Sequence, residues 1–199
     1  MRLFLAASPD EPARRAIASV QADIEHTIPG VAPALRWVMA GGSHLTLHFL
    51  GEVDTAGTER LVRTLDTTVD LAPFDLTLRP PEVSPRAGPP HVVWMPVAAD
   101  HEDLIALHDK LGGRVIAAGL TLEPRRFAPH LTLARVRERE RWRARGLRDE
   151  LAKLRVPSIR WRVDRVTLFR SDLSGPAPEH HALHAIILGR PAEGPQPLP

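Results

Sequence analysis

Two four-residue runs in this 199-residue chain are identical: His44-Leu45-Thr46-Leu47 inside SHLTLHFLGEV, and His130-Leu131-Thr132-Leu133 inside FAPHLTLARV. Successive side chains of a strand point to opposite faces. Read as strands, both runs therefore show an imidazole and a hydroxyl on one face and two leucines on the other. Imidazole titrates near neutrality, so one histidine can accept a proton while a second donates one in the same turnover. Cleavage of a phosphodiester needs that division. The neutral ring deprotonates the attacking water, and the protonated ring supplies the leaving sugar oxygen. The threonine hydroxyls can donate to the non-bridging oxygens, where charge accumulates. A lone His-x-Thr on a strand carries little information. Two copies of HLTL, 86 positions apart in a chain that repeats its pattern, carry a good deal.

The elements that must position these residues can be read in outline. A strand is expected at 2–7, then a helix capped by Asp10 with Pro12 in its first turn and Ile17, Val20, Ile24 and Ile28 as its apolar stripe. Strands follow at 36–39 and 43–50, and Asp54 is placed to cap a helix over 55–70 with Leu61, Leu65 and Val69 on one face. FDLTLR (74–79) and HVVWMPV (91–97) read as strands separated by a Pro/Gly-rich loop at 80–90. A helix at 100–118, a strand at 130–136, an arginine-rich helix at 138–154 and strands near 159–169 and 181–188 then repeat the order. The expected architecture is α+β: one bilobal domain over 1–190, built of halves at about 1–98 and 99–190, with pseudo-symmetric lobes. The Pro-rich 191–199 reads as a tail. A pseudo-twofold would set the two His/Thr pairs facing one cleft.

Composition narrows the classes. Hydrophobic residues make up 43% of the chain, as in ordinary globular proteins. No apolar run is long enough to span a bilayer, and MRLFLAASPDEP is too short in its apolar part for a signal peptide, so no membrane partner and a cytoplasmic location are expected. The absence of cysteine excludes disulfides, a thiol nucleophile and cysteine-based metal sites. All of the 26 basic residues except Lys110 and Lys153 are arginine, whose planar donor fork suits phosphate, although arginine-favouring codons explain such a bias equally well. A net charge of +2 is far from a general nucleic-acid coat. Glu179, His180, His181 and His184 lie close together, but no second cluster completes a metal shell. No metal or other cofactor is expected. Arginine at every odd position from 135 to 145 alternates in part with glutamate and reads as a solvated, ion-paired helix start, Arg135 excepted. Trp94 reads as packing.

The chain resembles the two-histidine (2H) phosphoesterase superfamily, which is defined by paired His-x-Thr/Ser-x motifs. More closely it resembles the bacterial and archaeal RNA 2′,3′-cyclic phosphodiesterases, also known as 2′-5′ RNA ligases. The blocks MRLFLA, RWVMAGGSHLTLHFLGEV, RRFAPHLTLARV and VTLFRSDLSGP carry the likeness over nearly the whole length. The resemblance implies two lobes of antiparallel sheet lining a concave cleft, with helices outside. It also implies hydrolysis of the cyclic ester to a 2′-phosphate end, with weak reversible 2′-5′ ligation. By position, His44 would protonate the leaving 3′-oxygen, His130 would activate water, and Thr46 and Thr132 would hold the phosphate. Arg135 matches a position usually held by arginine, and it and Arg126 would reach the phosphate. In a regular strand Arg135 would point away from His130, so its part requires a twist or bulge. Phe49 would stack on a nucleobase, although a strand phenylalanine more often packs in a core. The family commonly carries Gly-Pro-x-Tyr near the C-terminus. This chain has Gly175-Pro176-Ala177-Pro178 and no tyrosine, and an alternative alignment places His180 there.

The implied partner is RNA or a nucleotide with a 2′,3′-cyclic phosphate end, bound by a monomer. Two other readings stay open: the same chemistry on a 2′-5′ oligoadenylate, ADP-ribose cyclic phosphate or U-tailed RNA, and a non-catalytic nucleotide-binding module. Loss of a motif histidine or threonine would have favoured the latter, and all four are present.

Overall fold

The opening strand β1 (Arg2–Ala7) runs directly into helix α1 (Glu11–Thr27), whose start is fixed by the Asp10 carboxylate accepting from the Ala13 amide at 2.8 Å. Ala13, Ile17, Val20 and Ile24 bury one stripe of α1, as their spacing requires. The computed structural model describes residues 1–99, 101–124, 126–175 and 178–189; the 191–199 segment, Pro176 and Ala177 lie outside the described residues. After β2 (Leu35–Trp37) and β3 (Leu45–Glu52), Asp54 caps helix α2 (Thr55–Leu65) through the Gly57 amide at 2.7 Å. This helix ends five residues earlier than its apolar spacing suggests. Beyond it, Arg114 of helix α3 (Glu102–Ala117) donates to the carbonyls of Thr67 and Thr68 at 2.6 and 2.8 Å. Those carbonyls find their donor in Arg114, and Val69–Asp70 form a short strand, β4.

Beyond β4 the chain departs from expectation where apolar residues are sparse. Strands β5 (Phe74–Leu78) and β7 (Val92–Pro96) stand where expected, but Glu82–Ser84, inside the expected loop, form a further strand β6 against β7. After β8 (His130–Val136), the expected helix over 138–154 is a 3₁₀ segment, Glu138–Ala144, followed by a separate helix α4 (Leu147–Lys153). ERERWRA offers no apolar stripe that could hold an α-helix against a core. Gly146, at φ 81°, reverses the chain so that Leu147 and Leu151 are buried instead. The expected 159–169 strand is two strands, β9 (Ile159–Val163) and β10 (Arg165–Asp172), and β11 (Glu179–Gly189) completes the described chain.

One sheet holds nine strands in the order β4-β11-β10-β1-β3-β8-β7-β6, with β2 also beside β8. Every pairing in it is antiparallel except β11 with β4. β5 and β9 pair in a second, two-stranded sheet. With the short β2 and β4 set aside, the order strand, helix, HLTL strand, helix, strand, strand occurs twice: β1-α1-β3-α2-β5-β6 and β7-α3-β8-α4-β9-β10. The last strand of each series crosses to the other, β10 joining β1 and β6 joining β7. The two lobes meet where β3 pairs with β8 through Leu45 and Leu131, both fully buried.

Behind the HLTL strands, α3 approaches closely enough that glycine is required at position 112. A Cβ there would lie 3.2 Å from the His48 ring and 3.2 Å from the Leu122 side chain. The His48 ring cannot yield, because it stacks on His108 at 4.1 Å and its Nε2 donates to the His108 carbonyl at 2.7 Å. Gly112→Ala is therefore expected to lower stability by roughly 1 kcal/mol, the overpacking cost exceeding the gain in helix propensity. Gly113→Ala, with open space at its Cβ, should raise it by about the same amount. Paired urea titrations measure both, and equal shifts of the two midpoints would refute the close approach.

Candidate active site

Each motif histidine is oriented by a carbonyl two residues before it. Nδ1 of His44 lies 2.8 Å from the Gly42 oxygen, and Nδ1 of His130 lies 2.7 Å from the Ala128 oxygen. A carbonyl can only accept, so Nδ1 carries the proton in both rings and the unprotonated nitrogen of the neutral form is Nε2. This matching geometry gives both imidazoles the same tautomer. The β3–β8 pairing at Leu45–Leu131 then brings the two motifs together, the residues flanking it being His44 and Thr46 in one motif and His130 and Thr132 in the other. Both threonines are half-buried beside the histidines.

Both motif strands bulge at the same position. On β3, Leu5 pairs with His48 but Ala6 pairs with Thr46, leaving Leu47 as the extra residue. On β8, Val93 pairs with Ala134 but Trp94 pairs with Thr132, leaving Leu133 as the extra residue. A bulge inverts the alternation beyond it. Hence Leu47 and His48 are both buried and Phe49 is exposed, while Leu133 and Ala134 are both buried and Arg135 is exposed. Position five after each histidine returns to the histidine face. This is the condition Arg135 needed, and its charge acts on both His44 and His130.

The site is asymmetric in what surrounds each ring. His44 lies against Phe4 at 4.9 Å and meets His180 edge-on at 5.1 Å. Phe4 in turn stacks on Phe169 at 5.2 Å and on Phe49 at 5.8 Å, with the Arg2 guanidinium 5.6 Å from the Phe49 ring centre. On the other side, His130 packs against Trp94 at 4.4 Å, with Arg135 nearby. His44 thus sits against a cluster of several aromatic rings, while His130 has the single ring of Trp94. Trp94, read from sequence as packing, does pack, and what it packs against is a motif histidine. Phe4 and Phe169 lie at the site without having been marked as site residues, and His180, which the alternative alignment set at the place of the family's tyrosine, lies beside them. Alternation places Phe4 and Phe169 on one face of their strands, but nothing local says that β1 lies between β10 and β3.

Burial dominates the electrostatics. Desolvation pushes the His44 pKa down to about 4 against the raising effect of the Gly42 carbonyl, and His180, Arg135 and His130 lower it further. Burial likewise lowers His130, opposed by the Ala128 carbonyl and assisted by Arg135. His180 is lowered by burial as well. Its Nδ1 has no well-formed hydrogen bond, the Glu179 backbone raising it only in part and the His181 charge lowering it. The neighbouring histidines turn elsewhere: His181 toward Glu179 at 3.9 Å and His184 toward Asp66 at 3.7 Å. Among the described residues no three His, Asp or Glu side chains form a cluster suited to a metal. Arg126 is exposed on the segment before β8, and the charges acting on the two motif histidines include Arg135 but not Arg126.

This arrangement can accept a proton at one Nε2 and donate one at the other, beside hydroxyls and a guanidinium suited to an anion. Comparison with known proteins agrees. An RNA 2′,3′-cyclic phosphodiesterase of Thermotoga maritima is 29% identical over 150 residues, covering 74% of this chain and 76% of the relative. One of Aeropyrum pernix is 28% identical over 171 residues, covering 85% and 93%. The crystal structure of E. coli LigT complexed with 3′-AMP superposes with a TM-score of 0.71 at 27% identity, covering 94% of this chain and 97% of that one. Among the described residues no helix is long and apolar enough to cross a membrane. The family model of the 2′-5′ RNA ligase superfamily matches residues 8–175, and the chain belongs to that superfamily.

Proposed function

We propose that this chain is a phosphoric diester hydrolase that opens 2′,3′-cyclic phosphates at RNA ends to 2′-phosphates, by acid–base catalysis between His44 and His130 and without a metal. The observation that carries this reading is the pair of HLTL strands joined at Leu45–Leu131, with both imidazoles held in the same tautomer. The names of the relatives support the substrate. His130 Nε2 takes the proton of a water as its oxygen bonds to phosphorus. The bond from phosphorus to O3′ breaks, and His44 delivers its proton to O3′. Thr46, Thr132 and Arg135 stabilise the charge on the non-bridging oxygens, with Arg126 a further phosphate contact from the segment before β8. Phe49, exposed and backed by Phe4, offers a platform for a base. A 5′-hydroxyl in place of water would give 2′-5′ ligation. A short RNA with a cyclic phosphate end, incubated with the protein in EDTA, should acquire a 2′-phosphate. Persistence of the cyclic end would overturn the assignment.

The depressed histidines fix the sign of the pH dependence. Turnover requires one ring protonated and one neutral. Below the lower apparent pKa of the pair both are charged and the base is lost; above the upper one both are neutral and the acid is lost. With His44 near 4 and His130 below its ordinary 6.5, kcat/KM should be bell-shaped with its maximum on the acid side of pH 6.5. The bound phosphate anion raises both pKa values, so kcat should peak at higher pH than kcat/KM. Rates measured from pH 4 to 9 check this, and a kcat/KM still rising at pH 8 would contradict it.

A further inference from the structure

Positive charge in this chain is segregated. Residues 135–155 hold nine of the 26 basic residues and four of the 24 acidic ones, so this stretch carries +5 while the remaining 178 residues sum to −3. Part of that charge is tied up: Arg141 pairs with Glu138 at 3.6 Å, Arg143 with Glu140 at 2.7 Å, and Lys153 with Glu150 at 2.7 Å. Arg137, Arg139 and Arg145 are exposed, and among the described residues none has a carboxylate partner.

The same stretch carries an exposed aromatic ring beside a cavity. Trp142 is 60% exposed, with the Arg143 guanidinium 4.8 Å from its ring centre. A cavity of about 400 Å³ opens between Trp142 and the loop Gly88–Pro90, rimmed by Arg141, Arg145 and Arg148. Arg148 is anchored to the far wall by donating to the Pro85 carbonyl at 2.9 Å. This cavity begins where the catalytic sheet ends. Val92 pairs with Arg135, and the next residue, Val136, donates to the His91 carbonyl directly after that loop. The Gly88–Pro90 loop that walls the cavity is thus joined directly to the end of the strand that carries Arg135.

We propose that this surface binds the single-stranded RNA body upstream of the reacting end, with Trp142 stacking on a base and Arg139 and Arg145 contacting phosphates. It rests on the proposed function only for the direction of the strand. An exposed indole beside guanidinium groups suits bases and backbone of any sequence. Trp142 and Arg145 make no contact with His44 or His130, so their removal separates this surface from the chemistry.

The test compares a ten-nucleotide RNA ending in a 2′,3′-cyclic phosphate with uridine 2′,3′-cyclic phosphate. Trp142→Ala with Arg145→Glu should raise KM for the ten-mer about tenfold with kcat unchanged, and leave KM for the mononucleotide as it was. The slope of log Kd against log salt for the fluorescein-labelled ten-mer should fall by about one. Equal KM values for variant and wild type on the ten-mer would overturn the proposal, as would an equal rise on the mononucleotide. Should the wild type hydrolyse neither, anisotropy of the labelled ten-mer decides alone: weakened binding by the variant supports the surface, unchanged binding removes it.

Discussion

Alanine at either His44 or His130 should lower kcat/KM on an RNA 2′,3′-cyclic phosphate end by on the order of 10²–10⁴-fold. In the proposed mechanism the two rings serve a single transition state, so the double variant should be little worse than the poorer single one. The physical reason lies in the matched hydrogen bonds at Gly42 and Ala128, which hold both rings so that each loses or gains its proton at Nε2. The roles can be separated by changing the leaving group. An aryl phosphodiester, whose phenolate departs without protonation, should rescue the variant lacking the acid and not the one lacking the base. Rescue of His44→Ala alone would assign His44 as acid, and rescue of His130→Ala alone would reverse the roles. Full activity in either variant on the RNA substrate would remove the two-histidine mechanism.

Arg135→Ala should lower kcat/KM roughly 10²-fold by removing a charge-assisted contact to the phosphate. It should also move the pH profile, which a purely structural residue would not do. Arg135 holds both motif histidines down through its positive charge, so its removal raises both pKa values and shifts the kcat/KM maximum to higher pH. Arg135→Lys keeps the charge but loses the planar fork, and should restore the profile more fully than the rate. NMR titration of the His44 and His130 rings measures the shift directly. Unmoved titrations together with an unchanged KM would exclude Arg135 from the site.

Much of this protein was legible before its fold. The repeated HLTL runs marked His44, Thr46, His130 and Thr132 because the chemistry needs those types at that alternation. The helix caps at Asp10 and Asp54 were equally local, since an aspartate before an apolar period satisfies free amides within its own turn. Helix ends were less legible where a distant group intervened, as Arg114 does at Thr67 and Thr68. The 138–154 segment misled because its residues favour a helix one by one, while nothing in ERERWRA provides a face to bury.

What sequence by itself determined was the pair of HLTL motifs and the outline of the strands that carry them, both properties of residues adjacent along the chain. Tertiary structure decided how the other residues reach those motifs. Bulges at Leu47 and Leu133 depend on how the neighbouring strands pair, and they turned Phe49 and Arg135 onto the histidine face. The placement of β1 between β10 and β3 gathered Phe4, Phe169 and His180 around His44, from positions up to 176 residues apart. Strand order and bulge position are set by which side chains fill one common core. No short stretch of sequence contains that information.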